Sequence, residues 1–410
     1  MAHGIDPRRL REAAAAAANA ARGPETPFYL FDREAARSRM RRLREAAGPD
    51  AVLFYPWKCN RHTALLDLAG AEGCGAEVTA AEDLAAALRR SDGDRVLYQG
   101  PAKTERSLDR ALAAGTWLVA DSEQDAEAIL ARARAVGAAP RYLLRFRARA
   151  AESSQRAFGL APSRAAGLCA RLAREGRPLP SGLAFHLGTG LLSARPFVSA
   201  VREAARLAGK LRRVGIPVEV LNVGGGFPAR GEVRRDTHPR KSPATAESLV
   251  GAILSATRRA PELRDAQLFF EPGRAVAADA FHLVTRVIRV TPGRIYVDAS
   301  RMSHAFFVAW GRHAWLPIPR RPGDGAVEIA GPLPVDIDRL AARERIGRPR
   351  EGDLLVIGSV GAYNLIVAND WAGPAPQIVE VGVSASGDGR PSGARTRRSR
   401  RSPRPRRPSA

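Results

Sequence analysis

The sequence predicts an α/β fold, a (β/α)8 barrel followed by a C-terminal β domain. Eight short apolar runs alternate with amphipathic helical stretches over about 230 residues, an order typical of a closed parallel barrel. Beyond residue 280 the pattern changes to strands with few helices between them. A doubly wound sheet is the alternative for the first part, because periodicity alone does not separate the two arrangements.

Each predicted barrel strand ends in glycine or in a polar or charged residue. The carboxyl ends of the strands form the mouth of such a barrel, where the active site lies. The strands are predicted at residues 51–58, 75–79, 96–100, 117–121, 141–147, 182–188, 218–226 and 267–274. Helices are predicted between them, among others at residues 81–90, 122–136, 196–214 and 244–259.

The β domain is predicted from five further strands, at residues 281–290, 294–299, 326–330, 353–357 and 377–383. The resulting division of the chain has five parts. They are an N-terminal helical segment (1–26), a strand that pairs with the β domain (27–32), the barrel (33–280), the β domain (281–383) and a basic tail (384–410).

Composition argues against several classes of protein. No apolar run approaches the roughly 20 residues that span a bilayer, so we expect no membrane partner. Three cysteines are too few for a disulfide framework or a zinc site, which favours the reducing cytoplasm and no metal. Much of the net charge of +23 lies in the tail, where nine arginines face one aspartate without aromatic residues to stack bases. We therefore expect no specific nucleic-acid partner.

Lysine is rare, with four lysines among 65 basic residues: Lys58, Lys103, Lys210 and Lys241. Lys58 ends the first run, after two aromatic residues, a proline and a tryptophan. We expect partial desolvation to lower its pKa, which would suit an amine that attacks a carbonyl. The alternative is a strand-end lysine whose amine simply reaches solvent.

Further candidates end the sixth to eighth runs. His186 offers a flat ring that can stack or handle protons, although a lone histidine is more often structural. The amides of Gly224, Gly225 and Gly226 can cradle a phosphate or simply form a tight turn. Glu271 and Arg274 end the eighth run, where barrels often bind phosphate; a buried ion pair is the alternative. Together these groups suit a flat, phosphorylated aldehyde cofactor.

The chain resembles the fold type III decarboxylases for ornithine, diaminopimelate and arginine, which use pyridoxal 5′-phosphate (PLP) and are relatives of alanine racemase. The resemblance runs from about residue 26 to residue 383 and implies a PLP-binding TIM-type barrel. Its marks occur in the family's order and spacing. They are Tyr55-Pro56-Trp57-Lys58-Cys59-Asn60, His186-Leu187-Gly188-Thr189, Gly224-Gly225-Gly226-Phe227, Glu271-Pro272-Gly273-Arg274 and Gly361-Ala362-Tyr363.

The resemblance implies decarboxylation of an amino-acid substrate through an external aldimine and a quinonoid. Lys58 would hold the cofactor, His186 would stack on its ring, and Glu271 would keep the pyridine nitrogen protonated. The phosphate would be bound by Thr189, the amides of Gly224, Gly225 and Gly226, Gly273, Arg274 and Tyr363. Glu77 matches a family carboxylate near the cofactor.

The resemblance also implies a head-to-tail homodimer with shared active sites. Asp298 and the 331–338 stretch, including Asp338, would then reach the substrate in the partner's site. One departure falls here, because Pro334 replaces the family's proton-donating cysteine and Val335 replaces an acidic neighbour.

Three functions therefore remain open. They are a decarboxylase with an altered substrate and another proton donor (His186, His304 or water), another reaction at the α-carbon such as racemisation or elimination, and a PLP-binding protein without catalysis. Cys59 is expected to be a buried bystander beside Lys58.

Overall fold

The computed structural model describes residues 6–20, 23–230, 244–310 and 313–381, without the side chains of 309 and 310. The predicted basic tail and Lys241 lie outside these ranges.

The described residues form sixteen strands. They are β1 (Phe28–Asp32), β2 (Val52–Pro56), β3 (Gly75–Val78), β4 (Val96–Tyr98), β5 (Trp117–Ala120), β6 (Arg141–Arg145), β7 (Gly182–Ala184), β8 (Val220–Asn222), β9 (Gln267–Phe270), β10 (Phe281–Thr291), β11 (Arg294–Val297), β12 (Trp315–Ile318), β13 (Val327–Ala330), β14 (Arg339–Glu344), β15 (Leu354–Ile357) and β16 (Gln377–Val381).

The α-helices of the same ranges number eleven. They are α1 (Pro7–Asn19), α2 (Arg33–Ala47), α3 (Thr63–Ala71), α4 (Ala81–Ala87), α5 (Glu105–Ala113), α6 (Glu123–Val136), α7 (Pro162–Arg174), α8 (Arg195–Arg212), α9 (Ala246–Arg258), α10 (Gly273–Ala277) and α11 (Asn364–Val367).

Strands β2 to β9 close into a parallel barrel in sequence order, which confirms the predicted fold class and excludes the doubly wound sheet. Ring closure is made by β2 and β9, with Val52 opposite Phe269. The strands are shorter than predicted because pairing stops two to four residues before most of the predicted ends. Those terminal residues form the loops of the mouth, where they are free to meet a ligand.

Two apolar layers hold the barrel together. Its interior is filled by seven buried side chains, one from each of seven strands: Phe54, Leu97, Val119, Leu143, Ala184, Val220 and Phe269. The outward-facing residues pack against the surrounding helices in a separate and larger cluster. Burial on both faces explains why the barrel strands appear in the sequence as continuous apolar runs.

The β domain is a second sheet, in the order β12-β15-β10-β11-β13-β14. Strand β1 joins it, antiparallel to β10 and parallel to β16. The sequence did not predict β12 and β14, which lie at the two edges of the ordered sheet. Pro317 interrupts the first of them, and three of the six residues of the second are arginine or glutamate at irregular spacing, so neither shows a strand-like alternation.

Helix α1 covers one face of this sheet. Asp6 accepts hydrogen bonds from the Arg8 and Arg9 amides and so caps the helix. Leu10 and Ala14 are buried in a cluster with side chains of β1, β10, β12 and β15. This layout supports our proposed domain boundaries at about residues 33 and 280, with the N-terminal helix and first strand serving the second domain.

Candidate functional site

Lys58 lies at the barrel mouth, two residues beyond the end of β2. Its ammonium donates to both carboxylate oxygens of Glu77 at 2.7 Å, and 36% of its side chain is exposed. Glu77 lies in β3, the neighbouring strand, and is fully buried. Two residues predicted to contact the cofactor thus form one ion pair, in which the carboxylate is buried and the lysine is partly exposed.

The Lys58 pKa differs from the sequence-based expectation. Burial lowers the pKa, but the carboxylates of Glu77 and Glu271 outweigh it, so that the Lys58 pKa is raised above its ordinary value. The expectation of a lowered pKa is therefore wrong for this arrangement, because the sequence pattern contained the apolar neighbours but not the carboxylate across the strand pair.

The carboxylates of Glu77 and Glu271 share the mouth. Burial raises the pKa of Glu77, the nearby Lys58 ammonium lowers it, and the charge of Glu271 raises it again; the net direction is upward. Two acidic groups therefore act on one amine.

Glu271 follows β9 directly and is 2% exposed. One oxygen accepts from the Asn222 amide at 2.8 Å and the other from the Gln99 amide at 2.9 Å. Among the described residues it forms no salt bridge. A buried carboxylate with only neutral hydrogen-bond donors can still accept a direct contact from a cation, which a protonated ring nitrogen would supply.

The sequence reasoning overlooked Gln99 and Asn222. Both lie within predicted runs, at the carboxyl ends of β4 and β8. A polar side chain at the end of an otherwise apolar barrel strand was the available signal.

His186 lies two residues beyond β7, and its Nδ1 atom accepts a hydrogen bond from the Gly225 amide at 3.1 Å. Burial, together with the positive charges of Lys58 and Arg145, lowers the His186 pKa to about 3. The imidazole is therefore neutral near pH 7, with its proton on Nε2. Such a ring can stack on a flat ligand but supplies no readily lost proton, which argues against His186 as the proton donor.

The glycine loop after β8 packs against the His186 and Glu271 backbones. A Cβ atom on Gly224 would lie 2.6 Å from the Phe185 carbonyl oxygen, and one on Gly225 would lie 2.7 Å from that of Glu271. Gly224 and Gly226 also adopt positive φ angles of 68° and 92°. Only glycine allows this approach without displacing the strand ends.

Not every glycine amide is available to a phosphate. The Gly224 amide donates to the Asn222 side chain at 2.9 Å, and the Gly225 amide donates to His186. The Gly273 amide donates to the Glu271 carbonyl oxygen at 3.0 Å. Within the ranges the structure describes, the Gly226 amide is the one member of the Gly224–226 trio without a hydrogen bond, so the predicted amide cradle is narrowed to Gly226 in this arrangement and stays a prediction.

Thr189, Arg274 and Tyr363 converge on one side of the mouth. The Arg274 Nε atom lies 3.3 Å from the Thr189 hydroxyl, and its guanidinium lies 5.4 Å from the centre of the Tyr363 ring. The Thr189 amide donates to a Glu152 carboxylate oxygen at 3.2 Å. The hydroxyl of Thr189, rather than its amide, is thus the group that points to the arginine.

Arg145 is a third residue that sequence reasoning overlooked. It ends β6, is 13% exposed, and pairs with Asp121 at 2.9 Å. Its charge is close enough to lower the pKa values of both Lys58 and His186. The signal was a charged residue inside the predicted run of residues 141–147.

The residues predicted for the partner's site lie in the β domain. Asp338 is 2% exposed and accepts from the Ser300 hydroxyl at 2.8 Å and from the amides of Arg301 and Leu333 at 2.7 and 3.0 Å. Asp298 accepts from the hydroxyls of Thr26 and Thr285, both at 2.5 Å. These partners all belong to the β domain and the segment before β1, so within this chain neither carboxylate joins the Lys58 cluster.

His304 and Cys59 are both buried. His304 is 1% exposed, and burial lowers its pKa, so it is a poor source of a proton for the barrel mouth. Burial raises the pKa of the Cys59 thiol to about 12. A Cβ atom on Gly273 would lie 2.9 Å from that of Cys59. The cysteine therefore packs against the start of α10, the helix that contains Arg274.

The described segments contain no cluster of three or more His, Cys, Asp or Glu side chains that could hold a metal ion. No helix within them is both long and apolar enough to cross a membrane.

The residues at the mouth fit PLP. An amine stands beside two carboxylates, one of which is buried and accepts hydrogen bonds from the neutral amides of Gln99 and Asn222. A neutral ring held edge-on by Gly225, and a cluster of arginine, hydroxyl and tyrosine groups, provide a stacking surface and an anion site. These are the groups that a flat aldehyde with a basic ring nitrogen and a phosphate requires.

The chain is similar to known decarboxylases in sequence and in fold. The chain is 28% identical over 363 residues to the diaminopimelate decarboxylase of Deinococcus radiodurans, covering 87% of this chain and 89% of that protein. The fold is similar to diaminopimelate decarboxylase from M. jannaschii in co-complex with L-lysine, with a TM-score of 0.79, 23% identity and coverage of 93% and 90%. It is also similar to lysine/ornithine decarboxylase complexed with putrescine from Vibrio vulnificus, with a TM-score of 0.77, 21% identity and coverage of 92% and 99%.

The chain also matches the model of a protein family. Residues 33–278, more than half of the chain, match the pyridoxal binding domain of the pyridoxal-dependent decarboxylases. The matched segment contains Lys58, Glu77, His186, Glu271 and Arg274. The chain therefore belongs to the pyridoxal-dependent decarboxylase family, and its cofactor is PLP.

Proposed function

We propose that this chain decarboxylates an amino acid, or a compound derived from one, on PLP held covalently by Lys58. The observation that carries the assignment of residues is the Lys58–Glu77 pair beside Glu271, a buried carboxylate that only neutral amides contact. Racemisation and elimination are the alternative reactions at the same carbon. Alanine racemases, by family resemblance, place an arginine where Glu271 stands here.

Bound PLP supplies an electron sink for the electrons of the bond that breaks at the substrate α-carbon. Glu271 strengthens that sink by accepting a hydrogen bond from the ring nitrogen and keeping it protonated. Asn222 and Gln99 orient the carboxylate for this contact. His186 stacks on the ring as a neutral imidazole, so that it adds no positive charge against the protonated nitrogen.

Glu77 controls the proton on Lys58. Lys58 must lose a proton before its amine can attack an aldehyde, and the contacting carboxylate is the nearest group that can receive it. A carboxyl group with a raised pKa is the better base for this task, and burial and Glu271 raise the pKa of Glu77.

The phosphate would be held by the Arg274 guanidinium, the Thr189 and Tyr363 hydroxyls and the Gly226 amide. The close packing of Gly224, Gly225 and Gly273 sets the path of the backbone around this anion site. Arginine provides two donors in a fixed plane and remains charged at any working pH.

The substrate side chain differs from that of the relatives. Val335 is 37% exposed and Ile337 is 55% exposed, in the stretch where the resemblance implies a proton-donating cysteine and an acidic residue. We propose a substrate with a less polar side chain than ornithine or diaminopimelate. The proton that replaces the carboxyl group then comes from water or from a group of the partner subunit.

A head-to-tail homodimer in the cytoplasm completes the proposal. Asp298, Asp338 and the 331–338 stretch would approach the substrate only in such a dimer, since in one chain their partners lie within the β domain. Sedimentation velocity on the PLP-loaded protein measures the assembly directly, and a monomer would contradict the shared-site arrangement.

The test of the proposal is borohydride reduction of the PLP-loaded protein followed by peptide mapping. We expect one label, on the peptide that contains Lys58. The variant Lys58→Ala should lose both the label and the absorbance near 420 nm, an approximate value for PLP bound to a lysine. The variant Lys210→Ala is the matched control, because Lys210 is exposed on α8.

Product analysis then separates the reactions. A pooled library of amino acids is incubated with the loaded protein, and CO2 and amine products are measured. Release of CO2 supports decarboxylation, whereas inversion at the α-carbon without CO2 supports racemisation. A label on another lysine would refute the site, and a labelled protein that turns over nothing would favour a non-catalytic PLP-binding protein.

A further inference from the structure

Lys103 is a second buried lysine at the barrel mouth. Its side chain is 1% exposed, and its ammonium makes three hydrogen bonds. The acceptors are the Gly100 carbonyl oxygen at 2.7 Å, the Val119 carbonyl oxygen at 2.9 Å and an Asp125 carboxylate oxygen at 2.6 Å. All three protons of the ammonium are therefore used, which is unusual for a residue type that is mostly exposed.

Lys103 lies where two neighbouring barrel strands, β4 and β5, stop pairing. Strand β4 has only three residues, and its pairing with β5 ends where Tyr98 faces Leu118. On its other side the chain continues to pair, since the Gln99 amide donates to the Val78 carbonyl oxygen. Lys103 thus bridges the β4 and β5 ends where strand pairing has stopped.

From this bridge a chain of contacts leads to the candidate site. The Asp125 oxygen that receives Lys103 also accepts from the Asp121 amide at 2.9 Å. Asp121 in turn pairs with Arg145 at 2.9 Å. Arg145 is the cation whose charge reaches Lys58 and His186.

We infer that Lys103 is a positioning residue for the PLP site, which holds Arg145 in place through Asp125 and Asp121. The inference rests on the proposed function, because it concerns the cofactor-bearing Lys58. Lysine suits this position better than arginine, since a compact ammonium with three donors matches three converging acceptors in a space that is 1% exposed.

Loss of the Lys103 bridge should make the surroundings of Lys58 less positive. The groups that face Lys58 are Glu77 from β3, Glu271 after β9, the neutral His186 after β7 and Arg145 from β6. Glu77 contacts Lys58 directly, and Gln99, which holds Glu271, stays paired to β3. Arg145 donates to Asp121 at the β5 end at 2.9 Å and to the Gln155 side-chain oxygen at 3.2 Å, so displacement of Asp121 removes its ionic partner. Withdrawal of Arg145 should raise the Lys58 pKa.

The experiment compares Lys103→Met, Lys103→Met/Asp125→Asn and Lys210→Met, each loaded with PLP. Three quantities are measured: PLP affinity by absorbance titration, the pH midpoint of the absorbance change of the lysine-bound cofactor, and the melting temperature. Asparagine at 125 still accepts from the Asp121 amide but leaves no uncompensated buried charge.

We expect Lys103→Met to weaken PLP binding by about tenfold, a value typical for loss of an outer partner of a ligand site. The pH midpoint should move upward, while Lys210→Met behaves as the wild type. The double variant should recover the melting temperature but neither the PLP affinity nor the pH midpoint. The link that Lys103 makes between the ends of β4 and β5 is still missing in it.

Two results would overturn the inference. One is a Lys103→Met protein whose affinity and midpoint match those of Lys210→Met. The other is a double variant in which affinity and midpoint recover together with the melting temperature, which would make Lys103 a purely structural residue. If instead the wild type carries no label on Lys58 after reduction, the proposed function itself fails and this inference fails with it.

Discussion

The barrel mouth and the 331–338 stretch of the β domain differ in how they use their charged groups. At the mouth, Lys58 and Glu77 contact each other, and Glu271 keeps a buried charge that only neutral amides touch. In the β domain, Asp338 accepts three hydrogen bonds from its own loop and its surroundings. The first region is arranged to receive a ligand; the second is arranged to hold a loop.

This difference separates two parts of the function. The residues that would bind the cofactor come from one chain and match the family's motifs. The exposed loop that would meet a substrate departs from those motifs, with Pro334 and Val335 in place of reactive or charged residues. The cofactor residues thus match the family, and a changed substrate, as proposed above, would fit a function that resides in a site carried by a common fold.

The largest expected effect tests the mouth through Glu271. Replacing it with glutamine removes the negative charge but preserves the shape, so the ring nitrogen loses the group that keeps it protonated. We expect kcat to fall by about a hundredfold or more, as for the loss of one electrostatic contact to developing charge. The measurement is steady-state kinetics on the substrate found by product analysis.

The control for this prediction is cofactor loading. Glu271→Gln should still be labelled on Lys58 by borohydride, since Glu77 and the phosphate site are intact. A fully loaded variant with near-normal kcat would contradict the assignment of Glu271 to the ring nitrogen.

A smaller effect is expected at Glu77, and it appears as a pH dependence. The charge of Glu77 raises the Lys58 pKa against the effect of burial. In Glu77→Gln the burial effect remains and Glu271 alone opposes it, so the Lys58 pKa should fall. The amine is then unprotonated at lower pH, and the midpoint of the loading rate against pH should move downward.

The rate of PLP attachment to the cofactor-free protein, followed by absorbance from pH 6 to pH 10, measures this midpoint. Glu82→Gln, on the exposed side of α4, is a control in which the midpoint should not move. An upward shift in Glu77→Gln would contradict the ion pair as the cause of the raised pKa.

The sequence predicted the barrel well because its strands are buried on both faces. The run of residues 117–121, for example, is apolar up to its last residue and was placed within one residue of the observed β5. The edge strands β12 and β14 were overlooked, since edge strands tolerate proline and charge and lose the alternation that identifies a strand.

The site was predictable as residues but not as contacts. Lys58 and Glu271 could be named from strand ends and Glu77 from the family resemblance, yet their mutual charges decide the direction of the Lys58 pKa. The same limit applies to the glycines, because the sequence shows that amides are bare but not that Asn222 and His186 already accept two of them. Residue type gives the chemistry that is available, and three-dimensional pairing determines which part of it remains free.

The smallest effect is expected at Asp338, and it sharpens the contrast between the two regions. In Asp338→Asn the oxygen that accepts from Ser300 and Arg301 can be kept, but the second oxygen, which accepts from the Leu333 amide, becomes a donor. The free energy of unfolding should fall by about 1 to 3 kcal/mol, the usual effect of leaving a buried hydrogen-bonding group unpaired. Denaturant unfolding measures this change, and Asp336→Asn on the same loop, where residue 336 is exposed, should leave it unaltered.

Labelling of Lys58 should be unchanged in Asp338→Asn, since the carboxylate holds a loop and touches no group of the mouth within one chain. The opposite result is equally informative. If stability is preserved while kcat/KM falls, Asp338 acts on the substrate in the partner's site, and its hydrogen bonds within the loop must open when the dimer closes around a ligand. The two measurements together therefore decide whether the β domain contributes a scaffold or a reacting surface.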